Sequence, residues 1–197
     1  MDKNKLNEPR GYGMPKAVGC DARKSTRRIC LIDGIMAGLT SDSVYGLIGT
    51  GRDEAAVADH LQHSLLEALV RVHRSLDCSA SPERVAKRAA DCLLWEGNIN
   101  TTINHIQFLG AQHRPDFIIQ MDGIRVAVEL KRGESGAAVR EALGQCLVYA
   151  SHFEFTCCVL VDTSRDKKLK RAYVDGAVER VMLERLWDDF NVRLAVV

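Results

Sequence analysis

A chain of 197 residues with 46% hydrophobic content can bury a full core as one domain, and its net charge of +1 says little about partners until the charges are placed. Seven cysteines, an odd number with no C-x-x-C spacing, argue against a disulfide framework or a structural zinc site. No apolar run approaches the roughly eighteen residues of a membrane span.

The opening residues are polar and interrupted by Pro9, Gly11, Gly13 and Pro15, so they hold no secretory apolar region. Residues 1–24 read as a flexible basic arm, with Lys3, Lys5, Arg10, Lys16, Arg23 and Lys24 against Asp2, Glu8 and Asp21. The rest, 25–197, reads as one domain with a helical part (25–97) and a sheet core (98–197). Ser25 caps a predicted helix to Leu39, with Ile32, Ile35, Met36 and Leu39 at helical spacing. Gly46, Gly49 and Gly51 mark a loop that lacks the lysine and hydroxyl of a phosphate-binding loop. A long helix follows from Arg52 to about Leu76, its stripe formed by Val57, Leu61, Leu65, Leu69, Val72 and Leu76.

Ser81-Pro82-Glu83 is a helix start, with serine at the N-cap and proline at N1, and that helix is expected to reach Trp95 and stop at Gly97. Thr101 to Leu109 reads as a first strand, and Gly110 to His113 as the turn after it. Met121-Asp122-Gly123-Ile124 then places Asp-Gly between apolar runs, the signature of a two-residue hairpin loop. If Met121 faces Ile124, then Phe117 faces Val128, Ile119 faces Val126, and Asp116 faces Glu129. One face of the hairpin is then wholly apolar, while the other carries Asp116, Glu129 and Lys131. Two carboxylates at cross-strand distance repel, and a divalent cation would reverse the sign.

Ser135 is expected to cap a helix from Gly136 to Tyr149, with Leu143, Cys146, Leu147 and Ala150 on the sheet and Gln145 and Tyr149 on a neighbouring stripe. Phe155 to Asp162 is apolar on both faces and reads as a central strand, with Cys157 and Cys158 as reduced core residues. A helix from Lys168 to Asp188 and a strand from Asn191 to Val197 complete an α/β sandwich around a mixed sheet. The basic run that holds Lys167, Lys168 and Arg171 follows the central strand and, like the N-terminal arm, suits phosphate contact or plain solvation.

Pro115-Asp116, twelve residues, and Glu129-Leu130-Lys131 together resemble the PD-(D/E)xK nuclease superfamily, and Gln145 to Tyr149 resembles the QxxxY element of its RecB-type and lambda-exonuclease-like branch. The resemblance spans residues 100–165. It implies a restriction-endonuclease-like core of order αβββαβ with extra helices, acting as a Mg²⁺- or Mn²⁺-dependent nuclease. Asp116, Glu129 and the Leu130 carbonyl would hold the metal, Lys131 would position the attacking water, and Gln145 and Tyr149 would border the site. A further upstream acid is implied, with Glu54 the first choice, then Glu83, then Glu67. His113 and Arg114, just before the acid pair, are placed to approach a phosphate.

The expected partner is nucleic acid, DNA before RNA, with no membrane and with room for a homodimer, in a soluble, intracellular setting, cytoplasmic or nucleoid-associated. Endonuclease is favoured over exonuclease because no helicase motif accompanies the chain. The competing functions are nucleic-acid binding without turnover, and a partner-binding subunit whose hairpin acids are surface residues.

Overall fold

Asp-Gly at 122–123 turns the chain as its residue types require: φ is 52° at Asp122 and 75° at Gly123, a left-handed pair that glycine accepts freely and aspartate accepts better than most residues. In the computed structural model, which describes residues 26–41, 44, 54–95, 103 and 105–197 apart from the side chains of 54, 55 and 177, this turn joins β4 (Phe117–Met121) to β5 (Ile124–Gly133). The observed partners are Phe117 with Val128, Ile118 with Ala127, Ile119 with Val126, Gln120 with Arg125 and Met121 with Ile124, the register expected from the turn.

The described elements run α1 (Thr26–Leu39), α2 (Glu54–Leu76), α3 (Pro82–Cys92), β1 (Leu93–Trp95), β2 (Ile106–Phe108), β3 (Ala111–His113), β4 and β5. Then come α4 (Gly136–Ala150), β6 (Phe155–Asp162), α5 (Lys168–Asp175), α6 (Ala177–Phe190) and β7 (Val192–Val196). The main sheet has the order β1-β4-β5-β6-β7, with β1, β4 and β5 antiparallel and β5, β6 and β7 parallel, while β2 and β3 form a separate ribbon. The result is a mixed α/β architecture: a central mixed sheet flanked by helices. Among the described residues no helix is long and apolar enough to cross a membrane.

Four expectations need correction. The helix from Pro82 stops at Cys92, and Leu93-Leu94-Trp95 leaves it to pair with Ile119, Ile118 and Phe117, so the first strand of the sheet is 93–95. That three-residue run has no alternation to mark it, and its edge position comes from the partner strand. Of the expected strand 101–109, only Ile106–Phe108 is a strand, and it belongs to the ribbon; positions 101, 102 and 104 lie outside the described residues. Ala111–His113, expected as a turn, is the ribbon's second strand, because Leu109 and Gly110 take up the turn at φ 49° and 79°. The single helix expected over 168–188 is two, broken at Gly176, whose extended backbone (φ −77°, ψ 115°) caps α5 and starts α6.

The two faces of the sheet are covered differently. Phe117, Ile119, Val126, Val128, Leu130, Cys157, Val159 and Val161 form one cluster with Ile32 and Ile35 of α1 and Val57, Leu61, Leu65 and Leu69 of α2. Each of these aliphatic side chains contributes about 2 kcal/mol through burial, which is why the α2 stripe predicts the helix and its orientation together. The other face is shared between a cluster of Ile103, Ile106, Ile118, Ala127, Tyr149 and Phe153 and one of Ala142, Cys146, Cys158 and Val192. There α4 is the cover. All eight residues of β6 are buried, as expected of a strand enclosed by neighbours and helices, and Cys157 and Cys158 are free thiols at 0% exposure.

At the end of β6 a buried carboxylate organises the following turn. Asp162 Oδ1 accepts from Ser164 N (2.9 Å) and Ser164 Oγ (2.5 Å), while Oδ2 accepts from Leu169 N (2.9 Å) and Lys170 N (3.0 Å), amides in the first turn of α5. Burial works to raise its pKa, but the bonds from Ser164, Lys170 and Leu169 outweigh it and hold the carboxyl below its ordinary 3.8. A depressed pKa means that this stabilisation is present above pH 3.8 and fades as the pH falls through the lower folded-state value. Asp162→Ala is expected to cost roughly 2 kcal/mol at neutral pH and about 6 °C in Tm, measured by thermal unfolding. Asp162→Asn should flatten the loss of stability below pH 3.8 relative to the parent, and an unchanged acid limb would refute the assignment.

Candidate active site

The strand alternation that buries Val126, Val128 and Leu130 on one face sends Glu129 to the other, where Ala127 packs with Tyr149 of α4. Asp116 is half-buried and stands just before β4, and its Oδ2 accepts a 2.7 Å hydrogen bond from the Leu130 amide across the hairpin. Glu129 is buried, 4% exposed, in the middle of the sheet. Both carboxylates act on the same phenol. Tyr149 is pushed well above its ordinary 10, first by burial, then by the charge of Glu129 and contact with it, and then by Asp116. Cys146, one turn earlier on α4, also feels Glu129, although its bond to Cys158 and its burial raise its pKa more.

Lys131, two residues beyond Glu129, reaches up to α4 and pairs with Glu141, Nζ to Oε1 2.7 Å. Glu141, Gln145 and Tyr149 lie four residues apart, so one edge of the helix presents carboxylate, amide and phenol in succession along β5. Glu141 is the residue the motif leaves out. The sequence signal for it is its i−4 position relative to Gln145, legible only once the lysine is known to need a partner. Among the described residues the Gln145 Oε1 and the Tyr149 hydroxyl are buried atoms without a hydrogen bond of good geometry, although the phenol lies against Glu129. Such atoms are uncommon in folded proteins.

Gly133 closes β5, and a Cβ there would stand 2.2 Å from the Ala138 side chain, so only glycine lets the first turn of α4 sit this close to the strand carrying Glu129 and Lys131. Ser135 occupies the N-cap without the side-chain bond expected of it. The buried side chains of α4 are Ala142, Cys146 and Tyr149, whereas Leu147, expected on the sheet, is 41% exposed. The helix is rotated toward its Glu141-Gln145-Tyr149 edge because the strand face below offers charge as well as apolar area. At 0% exposure Tyr149 supports the site and is not presented to a ligand outside it.

The upstream acids separate clearly. Glu83 is exposed and lowered from its ordinary value by its own backbone amide and by Ser81, a helix-cap role. Glu67 pairs with Arg71 at 3.8 Å on the solvent side of α2. Neither joins Asp116 and Glu129. Glu54 opens α2, but its side chain lies outside the described residues. His73 and Leu76 of α2 line a cavity with Gln120 and Asp122, so α2 runs antiparallel to β5 and its first residue falls toward the end of the sheet where β5 stops.

His113 and Arg114 are half-buried and lead into Pro115 and Asp116. Lys167, Lys168 and Arg171 lie beyond the C-terminal end of β6, whose Asp162 is level with Gly133 of β5. Lys167 Nζ donates to the Asp162 carbonyl (2.5 Å) and Arg171 pairs with Asp166 (3.1 Å), so part of this charge is internally engaged, while Lys168 is exposed.

Among the described residues no three His, Cys, Asp or Glu side chains gather closely enough to hold a metal by themselves. A cation here would rest on Asp116, Glu129, the Leu130 carbonyl and water, a hard oxygen set that suits Mg²⁺ or Mn²⁺. No family model, curated protein or solved structure matches this chain.

Two carboxylates on one face, one of them buried, raise the energy of the metal-free fold. Glu129→Gln is therefore expected to stabilise the chain by about 1 kcal/mol in EDTA, read as a higher Tm. A fall in Tm would mean that the Glu129 charge is structural.

Proposed function

We propose that this chain is a Mg²⁺- or Mn²⁺-dependent nuclease that cleaves phosphodiester bonds in DNA, acting as an endonuclease. The observation that carries the reading is the placement of a buried Glu129 and of Lys131 on β5 beside the Leu130 amide that Asp116 accepts from, with Lys131 paired to Glu141 of α4. The order helix, three antiparallel strands, helix, parallel strand, as traced by α3, β1, β4, β5, α4 and β6, supports a restriction-endonuclease-like core, with the β2–β3 ribbon inserted between the first two strands.

A bound divalent ion would polarise the phosphate and lower the pKa of its water. The chain's own residues do the rest. Asp116 and Glu129 hold the cation, and the Leu130 amide fixes one Asp116 oxygen so that the other keeps its direction. Lys131, steadied by Glu141, brings a positive charge toward the phosphate oxygens and orients the attacking water. Gln145 offers for that water a buried oxygen that makes no hydrogen bond among the described residues, and α4 keeps the back of the site dry. The exposed Lys168 and neighbouring basic residues supply non-specific attraction to the backbone.

The other reading, nucleic-acid binding without turnover, draws on the absence of a third acid beside the pair among the described residues. Nicking of supercoiled DNA separates the two. The parent is expected to cut with Mg²⁺ or Mn²⁺ and not with EDTA, and Asp116→Ala, Glu129→Gln and Lys131→Ala each to reduce the rate about 100-fold or more. Mg²⁺ should also raise the Tm of the parent and not that of Glu129→Gln. Cutting that survives Asp116→Ala and Lys131→Ala would refute this site, and DNA binding without cutting in any metal would favour the binding protein.

A further inference from the structure

Among the described residues, two hairpin turns have left-handed φ at both central positions, and they are filled differently. The turn at 122–123 uses Asp-Gly, while the turn at 109–110 uses Leu-Gly, with Leu109 at φ 49°. A branched apolar residue is a poor choice for left-handed backbone. Leu109 gains nothing inside the fold to offset that strain, since it is 91% exposed, and its neighbour Phe108 is 48% exposed. Strain and exposed apolar area at a hairpin tip are what a contact surface shows, not what a stable turn shows.

The position of this tip identifies the partner. The base of the ribbon is fixed to the candidate site twice. Ile106 is 2% exposed and packs in the cluster that contains Tyr149, Ile118 and Ala127. At the other strand, His113 runs through Arg114 and Pro115 directly into Asp116. Residues 97–115 contain no aspartate or glutamate, in a chain where 26 of 197 residues are acidic, while His105, His113 and Arg114 fall within that stretch. An acid-free ribbon with an apolar tip, joined to a phosphate-directed site, matches a polyanion with exposed stacking faces.

We propose that the β2–β3 ribbon is a wedge that places Phe108 and Leu109 against unpaired bases beside the scissile phosphate. Because continuous duplex presents no open base faces, the preferred substrates are DNAs with a discontinuity, such as flaps, nicks and ends. The proposal rests on the nuclease reading for the identity of the neighbouring site, but it is tested without cleavage.

Binding of the full chain in EDTA to continuous duplex, nicked duplex, a 5′-flap duplex and single strand is read by fluorescence anisotropy, with 2-aminopurine at the discontinuity. The parent is expected to favour flap over continuous duplex about tenfold and to change the 2-aminopurine signal. Leu109→Asn suits the left-handed turn better, so its Tm should match or exceed that of the parent while the preference shrinks toward unity; Phe108→Ser should do the same to the preference. Equal affinity of the parent for all four DNAs, or variants that keep the parent's preference, would overturn the wedge. So would a change in sedimentation or vesicle binding on Leu109→Asn with DNA binding untouched, which would assign the tip to a second copy or a lipid surface. Cleavage retained without junction preference fails only the wedge; preference retained in a parent that never cuts fails only the catalytic reading.

Discussion

Asp122 and Gly123 turn the chain in the left-handed region, and that two-residue turn decides which side chains of β4 and β5 stand opposite one another. A slip of β5 by one residue would send Val126 and Val128 to the α4 face and draw Glu129 into the cluster with α1 and α2. Several aliphatic side chains at about 2 kcal/mol each outweigh the local repulsion of two acids, so the apolar face sets the register and the acids are carried with it. The chemistry of this molecule is thus held in place by packing on the reverse side of the same strands.

The face that receives the acids is built accordingly. It is covered by α4 together with Ile103, Ile106 and Phe153, and α4 offers Ala142 and Cys146 for packing and its Glu141, Gln145 and Tyr149 edge for polar contact. Burial and the charge of Glu129 raise the pKa of Tyr149, and Glu141 holds Lys131 near the sheet. A buried oxygen without a good hydrogen bond, as Gln145 Oε1 is among the described residues, is a cost to the fold.

Asp162 shows the opposite use of a buried carboxylate. Its four hydrogen bonds satisfy both oxygens, so it closes the turn after β6 and starts α5 with nothing left over for a ligand. It stands level with Gly133, two residues past Lys131, so the structural carboxylate and the candidate site share the carboxyl edge of the parallel strands, where turns have room for exposed basic residues.

The sequence alone was sufficient for the features that depend on local rules. Asp-Gly gave the turn and therefore the register from Phe117 with Val128 to Met121 with Ile124, the 3.6-residue stripe gave α2, Ser81-Pro82-Glu83 gave the start of α3, and an unbroken apolar run gave the central strand β6. Features that depend on a distant partner were not legible. Leu93-Leu94-Trp95 is a strand because β4 has an open edge, and Ile106–Phe108 leaves the main sheet because its hydrogen bonds go to Ala111–His113. Glu141 belongs to the site because Lys131 reaches it, and Glu83 and Glu67 do not because each is engaged on its own helix. Turn chemistry and periodicity act within a few residues and can be read along the chain; which charge meets which across the sheet is set by the rotation of α4 and the order of strands, and only the folded molecule decides it.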